Sequence, residues 1–184
     1  SYFGGPKPYG DWLYDLEKFS FFCNAALSAL PVIGFKPNVV HCHDWQTGLI
    51  PVYLKDRFRG GEFFTNMKSV MTIHNLKFQG VWDVKTIQRF SMLPDYYFTP
   101  DKLEAYKDGN MLKGGIVFAD AITTVSQTYA EEIKMPFYGE GLDGLMRARS
   151  GDLRGIVNGI DYDEFNPETD KLIAQPYNAR NFRK

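Results

Sequence analysis

The sequence predicts an α/β fold, a parallel sheet with helices on both faces. Three observations predict it. Short apolar runs rich in β-branched residues fall at about 38–42, 69–74, 121–125 and 153–157. Segments with apolar residues at helical spacing separate them. Each strand run ends in polar residues just before the next element. Such alternation builds parallel sheets covered by helices. Right-handed crossovers then place every strand's C-terminal end on one edge, where open α/β sheets bind ligands. His43, Asp44, Trp45, His74, Asn75, Ser126 and Asn158 are therefore predicted to share one rim.

In chain order, Asp11 is placed to cap a helix carrying Trp12, Leu16, Phe19, Cys23, Ala26, Leu27 and Leu30 on its core face, with Pro31 closing the run. The first strand, 38–42, runs into His41-Cys42-His43-Asp44-Trp45, and a helix follows near 46–58 with Leu49, Ile50, Val52, Tyr53 and Leu54. Gly60-Gly61 is a turn. The second strand, 69–74, ends in His74-Asn75 and then Gln79-Gly80. Residues 81–108 read as an irregular excursion with short helices. Met111 to Ala119 reads as a helix, and Gly114-Gly115 within it predict close approach of another backbone. The third strand is followed by Ser126, a candidate cap for a helix over 127–134. A helix near 142–149, the fourth strand with Asn158-Gly159 after it, and a further helix near 169–177 complete the series.

Composition narrows the function classes. The 184 residues suit one domain with a real core. Hydrophobic residues make up 44%, charged residues 23%, and the formal charge is −1. That composition is globular, and with no basic stripe it argues against nucleic acid as a partner. There is no apolar run of roughly 18 residues to span a membrane. Two cysteines, Cys23 and Cys42, cannot build a disulfide framework, which points to a reducing compartment. Aromatic content reaches 16%, and Trp and Tyr near loops suit sugar faces as well as packing. Both termini read as cut within a longer protein.

The rim residues admit competing chemistries. His41, His43 and Asp44 form a histidine pair with a carboxylate, the donor types of a metal-dependent hydrolase; alternatively His41 is a hydrogen-bonded histidine packed beneath the sheet. Asp44 and Trp45 suit carbohydrate, since a carboxylate accepts sugar hydroxyls and an indole packs a pyranose face; alternatively Asp44 caps a helix and Trp45 is core. His74 and Asn75 present a ring and an amide to the same ligand, unless Asn75 only forms a turn. Asn158-Gly159 is by itself a tight turn. No glycine-rich phosphate cradle and no nucleophile elbow is present.

Taken together, the runs Val39-Val40-His41-Cys42-His43-Asp44-Trp45-Gln46-Thr47-Gly48, Thr72-Ile73-His74-Asn75-Leu76-Lys77-Phe78-Gln79-Gly80, Leu112-Lys113-Gly114-Gly115 through Ala119-Asp120, Thr123-Thr124-Val125-Ser126, Tyr138-Gly139-Glu140-Gly141-Leu142 and Val157-Asn158-Gly159-Ile160-Asp161 resemble the N-terminal domain of the bacterial glycogen synthase and plant starch synthase family. They occur in family order over roughly residues 8–170. The resemblance implies a Rossmann-like domain of a two-domain GT-B glycosyltransferase. The chain would be part of the N-terminal, acceptor-side domain, without the C-terminal nucleotide-binding domain. The implied reaction moves glucose from ADP-glucose to the non-reducing end of an α-1,4-glucan with retention, using neither metal nor cofactor. His74 and Asp44 fall on catalytic positions. Tyr9, Trp45, Asn75, Gln79 and Asn158 fall on substrate positions.

The resemblance also carries expectations about what is missing. The family's lysine-threonine-glycine-glycine-leucine motif and its C-terminal phosphate-binding residues are not in this chain. The chain alone is therefore expected to be inactive, which leaves a non-catalytic glucan-binding module as the alternative. The setting would be the cytoplasm of a bacterium, or a plastid in a plant. The strand at 38–42 is expected to have an unpaired edge through which the chain associates.

Overall fold

The computed structural model describes residues 11–181. Helix α1, Trp12–Val32, starts where Asp11 accepts a 2.9 Å hydrogen bond from the Leu13 N–H. Pro31 sits inside its last turn, and the helix ends one residue later. It buries Leu16, Cys23 and Leu27, with Phe19, Ala26 and Leu30 partly covered. Trp12, predicted on the same face, is 60% exposed. It sits at the first helical position with one ring face stacked on Trp82, 4.4 Å between centroids, and the other open.

Strand β1, Val39–His43, leads through a 3-10 turn at Trp45–Thr47 into α2, Leu49–Lys55. Strand β2 is Lys68–Ile73, and β6 and β7 are Ala121–Thr124 and Leu153–Gly155. These four strands form one parallel sheet in the order β1-β2-β6-β7. Between β2 and β6 lie β3 at Val81–Asp83, α3 at Val84–Ser91, β4 at Glu104–Ala105, β5 at Asp108–Asn110 and α4 at Met111–Phe118. Helices α5, Gln127–Glu132, and α6, Asp143–Ala148, connect β6 to β7. Ser126 caps α5 by accepting from the Tyr129 N–H, as expected.

The register sorts the two sheet faces. Cys42, Met71, Ile122 and Leu153 align across all four strands and are all buried. The row one residue on, His43, Thr72, Thr123 and Arg154, points the other way, and its two edge members are exposed. The parallel α/β sheet is thus as predicted. Among the described residues, however, one face carries the core and the other is open, where helices were expected on both. Sequential strand order explains this: right-handed crossovers that all step in one direction deposit their helices on the same side.

Two glycines fix the covered face. A Cβ on Gly48 would lie 2.2 Å from the Met111 carbonyl oxygen, and one on Gly115 would lie 2.4 Å from Met71 Cε. Helices α2 and α4 therefore meet through backbone, as Gly114-Gly115 predicted. Beyond α6, Arg149 caps the C-terminus of α4. Its guanidinium donates to the carbonyls of Ile116, Val117 and Ala119 at 2.6, 2.9 and 2.8 Å, offsetting the negative end of the helix dipole.

Two expectations are corrected. The excursion is ordered: β3, β5 and β4 form a small antiparallel sheet. Lys113 of α4 pins it, with Nζ donating to the Pro100 and Glu104 carbonyls. Strands of two or three residues are too short for alternation to show in sequence. The helix expected near 169–177 does not form. Asn166 and Asp170 turn the chain there with side chain-to-backbone bonds to Glu168 N and Leu172 N, a local competitor of helix. Leu172 is 96% exposed, so no packing favours a helix.

Gly48→Ala should test the backbone contact. Collision with a main-chain oxygen cannot be relieved by a rotamer change, so the substitution should cost about 1–3 kcal/mol in urea unfolding. A loss under ~0.5 kcal/mol would show that α2 and α4 are not held at that distance.

Candidate functional site

The β1 and β2 ends are joined by one side chain. Asp44 follows β1 with φ 54° and ψ −172°, a backbone conformation that costs a non-glycine residue on the order of 1–3 kcal/mol. In it, the Asp44 N–H donates to the Thr72 carbonyl at 3.0 Å, and Asp44 Oδ1 accepts from the His74 N–H at 2.8 Å. The carboxylate makes no bond capping the following turn. Thr47 completes the bend: its hydroxyl accepts from the His43 N–H at 2.6 Å and lies 2.7 Å from the His43 carbonyl oxygen.

All three histidines gather on the open face. His43 Nδ1 and His74 Nε2 are 2.9 Å apart, so one of them carries the proton they share. The His41 ring lies 4.3 Å from that of His43, and His41 Nε2 meets Thr72 Oγ1 at 2.6 Å. Burial, with the His41 and His74 rings beside it, holds the His43 imidazolium below its ordinary pKa, against an opposing pull from Asp44. His41 is hydrogen-bonded as the alternative reading supposed, but it is exposed rather than packed beneath the sheet.

The metal reading of His41, His43 and Asp44 does not survive this geometry. One polar atom of each is turned to a different partner: His41 Nε2 to Thr72, His43 Nδ1 to His74 and Asp44 Oδ1 to a main-chain N–H. Among the described residues no group of three or more His, Cys, Asp or Glu is placed to hold a metal ion. Burial pushes the Cys23 thiol up and that of Cys42 up to about 12, so both are inert.

Beside this rim lies a cavity of about 440 Å³ lined by Trp12, Asp15, Asp44, Trp45, Gln46, Asn75 and Phe78. Asn75 both lines it and accepts from the Lys77 N–H in a turn. Trp45 is the floor rather than a presented face. It is 7% exposed, edge-on to Phe19, and under Gly80, where a Cβ would come 2.5 Å from its ring. Gln79 uses its side chain internally. Its Nε2 donates to the Leu76 and Glu140 carbonyls, and its Oε1 accepts from Asn110 at 2.6 Å. Asn158 is exposed beyond β7 and outside the cavity lining. Tyr9 lies outside the described residues. The sequence reading missed Trp12, Asp15, Gln46 and Phe78 as cavity walls, and Thr47 and Thr72 as supports. Only Phe78, an aromatic inside a strand-end loop, carried a visible signal.

These elements make an α/β lobe whose strand ends carry a carboxylate, histidines and amides beside an aromatic-lined cavity of about 440 Å³. Residues 1–148 match the family described as starch synthase catalytic domain, and the chain belongs to that family. It is 70% identical to a glycogen synthase of Lachnospira eligens over its whole length, and 50% identical to one of Anoxybacillus flavithermus over 97% of it. It spans 38% and 37% of those proteins. The catalytic domain of starch synthase IV from Arabidopsis thaliana, bound to ADP and acarbose, superposes with a TM-score of 0.84 at 33% identity, covering 97% of this chain and 36% of that one.

The lowered His43 pKa sets a sign. The unfolded histidine, with a pKa of roughly 6.5, binds protons that the folded one resists, so stability falls as pH drops below that value. The shifted carboxylates Asp83, Asp101 and Asp120, all lowered, respond only below roughly pH 4. Urea midpoints should therefore fall between pH 7.5 and 5.5, and less so in His43→Gln. An equal fall in both proteins would rule out His43 as the source.

Proposed function

We propose that the chain is the acceptor-side part of the N-terminal domain of a retaining glucosyltransferase that moves glucose from ADP-glucose to the non-reducing end of an α-1,4-glucan. The observation that carries this is the Asp44–His74 bridge beside the cavity. It sets the Asp44 carboxylate, and with it the Asn75 amide, in the wall of a space with aromatic sides, with the His43–His74 imidazole pair on the same rim outside that wall. The ligands bound to the plant neighbour, ADP and acarbose, support the same substrate pair.

In this reading Asp44 and His74 are the catalytic residues. Glycosyl transfer develops positive charge at the anomeric carbon, and preorganised oxygens and dipoles around it lower the barrier. Asp44 supplies negative charge, and its bond to the His74 N–H fixes where residue 74 stands. Asn75, Trp45, Asn158 and Tyr9 meet the substrate. Gln79, with its side chain occupied, acts by shaping the loop. The phosphates of the donor are held by residues outside this chain. The setting we assign is the bacterial cytoplasm, in keeping with the bacterial relatives and two buried free thiols.

The test is incorporation of labelled glucose from ADP-glucose into glycogen. The 184-residue chain should give none. A longer protein containing it should be active, and His74→Ala in that protein should lower kcat on the order of 10²–10³-fold. Turnover by the chain alone would overturn the two-domain requirement. A longer protein that binds glycogen without incorporating glucose would instead be a binding module.

Association forms a separate part of the proposal. Among the described residues β1 pairs with β2 on one side only, and Val39 on it is 49% exposed. A free parallel edge recruits further strands. Light scattering should show concentration-dependent dimers of this chain, and a monomer throughout would end the idea.

A further inference from the structure

Three imidazoles stand in a row on the open face of the sheet, and the middle one meets both neighbours. The His43 ring lies 4.3 Å from that of His41 and 5.2 Å from that of His74, tilted 32° and 37° to them. Its Nδ1 is 2.9 Å from His74 Nε2. The surroundings are held in turn. His41 Nε2 lies 2.6 Å from Thr72 Oγ1, which lies 2.6 Å from Thr123 Oγ1 on the next strand. The main chain of His43 is braced by the Thr47 hydroxyl, and that of His74 by Asp44 Oδ1. Among the described residues the other ring nitrogen of His74, Nδ1, has no hydrogen-bond partner.

We propose that His43 is a positioning residue for glucosyl transfer: through Nδ1 it holds the His74 ring in one orientation and one tautomer, leaving His74 Nδ1 to meet the substrate. This rests on the reading of His74 as catalytic above. Asp44 fixes only the main chain of residue 74. An exposed imidazole still turns about its own side-chain bonds, and a turning ring meets the reacting sugar in few of its states. The bond to His43 removes that freedom, and transfer from a well-placed arrangement needs it removed. The same bond settles the proton. In a neutral ring, Nδ1 donates if Nε2 accepts from His43, and accepts if Nε2 donates to it. One contact therefore sets both where the ring points and what it offers. His43 does this without adding charge. Burial, and then the His41 and His74 rings, keep its imidazolium below its ordinary pKa against the pull of Asp44. These groups surround it from β1, from the turn after β1 and from the loop after β2. A neutral His43 keeps positive charge away from the anomeric carbon, where the transition state develops its own.

The chain has only three histidines, so ring-nitrogen NMR spectra of it report the hydrogen bonding and tautomer of each. His74 should show a single tautomer in the parent, and in His43→Leu its ring nitrogens should move toward an averaged mixture. In a longer protein containing the chain, glucose incorporation from ADP-glucose near neutral pH gives the second readout. His43→Leu should lower kcat roughly 10- to 100-fold, with KM for donor and glycogen within about 3-fold of the parent. Asn offers a polar atom close to where Nδ1 stands, so His43→Asn should recover most of the lost kcat, and it keeps the test open if His43→Leu fails to fold. A folded His43→Asn protein that loses kcat as far as His74→Ala overturns the proposal. So does a rise in KM without loss of kcat, which would make His43 a binding residue, and so do unchanged His74 signals in folded His43→Leu. If His43→Leu keeps the parent kcat while His74→Ala loses it, the positioning role falls and His74 stays catalytic. If neither loses kcat, both readings fall.

Discussion

The bond between the Asp44 carboxylate and the His74 N–H is the constraint on which the site depends. It spans two strand ends that share no covalent path shorter than the whole first crossover, and it requires Asp44 to sit at φ 54°. Strain of that kind persists only when surroundings over-determine it. Here they do: Thr72 receives the Asp44 N–H and Thr47 braces His43. The sheet thus supplies the geometry, and one acidic side chain converts it into a fixed distance between a carboxylate and the main chain of His74. A residue with no hydrogen-bonding side chain at this position would lose the bridge and keep the strain.

The helix layer explains why the rim can be so rigid while exposed. Gly48 follows the 3-10 turn of the site directly, and its contact with Met111 presses that turn onto α4. Main-chain bonds from Met111 N to the Gly80 carbonyl and from Leu112 N to the Gln79 carbonyl, both 3.0 Å, tie the other site loop to the same helix. Helix α4 is therefore the common anchor of both loops, and Arg149 and Lys113 secure its far end and its flank.

Much of this was legible in the sequence because the signals were of the right length. Four apolar runs of five or six residues announced the main sheet, although its fourth strand keeps only three of them, and Asp11 and Ser126 announced their helices. What stayed hidden had physical reasons. The small sheet is built from strands too brief to alternate. Helical spacing placed Trp12 on the core stripe, but periodicity does not say that only one face of its ring is covered, by Trp82. Trp45 next to Asp44 read equally as floor or as platform, and only its burial under Gly80 separates the two. The role of Asp44 was the hardest to foresee. Aspartate before a helical turn reads as a cap, and nothing local reveals that its acceptor is spent thirty residues away on His74.

Gln79 has a mechanical consequence. By bonding the Glu140 carbonyl with its amide and the Asn110 amide with its oxygen, it couples three segments from two crossovers: the stretch after β2 and the β5–α4 junction in one, and the Tyr138–Gly141 bend in the next. None can swing without dragging the others or breaking a bond. A saccharide that nudges Asn75 would thus be felt at Glu140, on the far bank of the loop cluster, with no change in any strand of the main sheet.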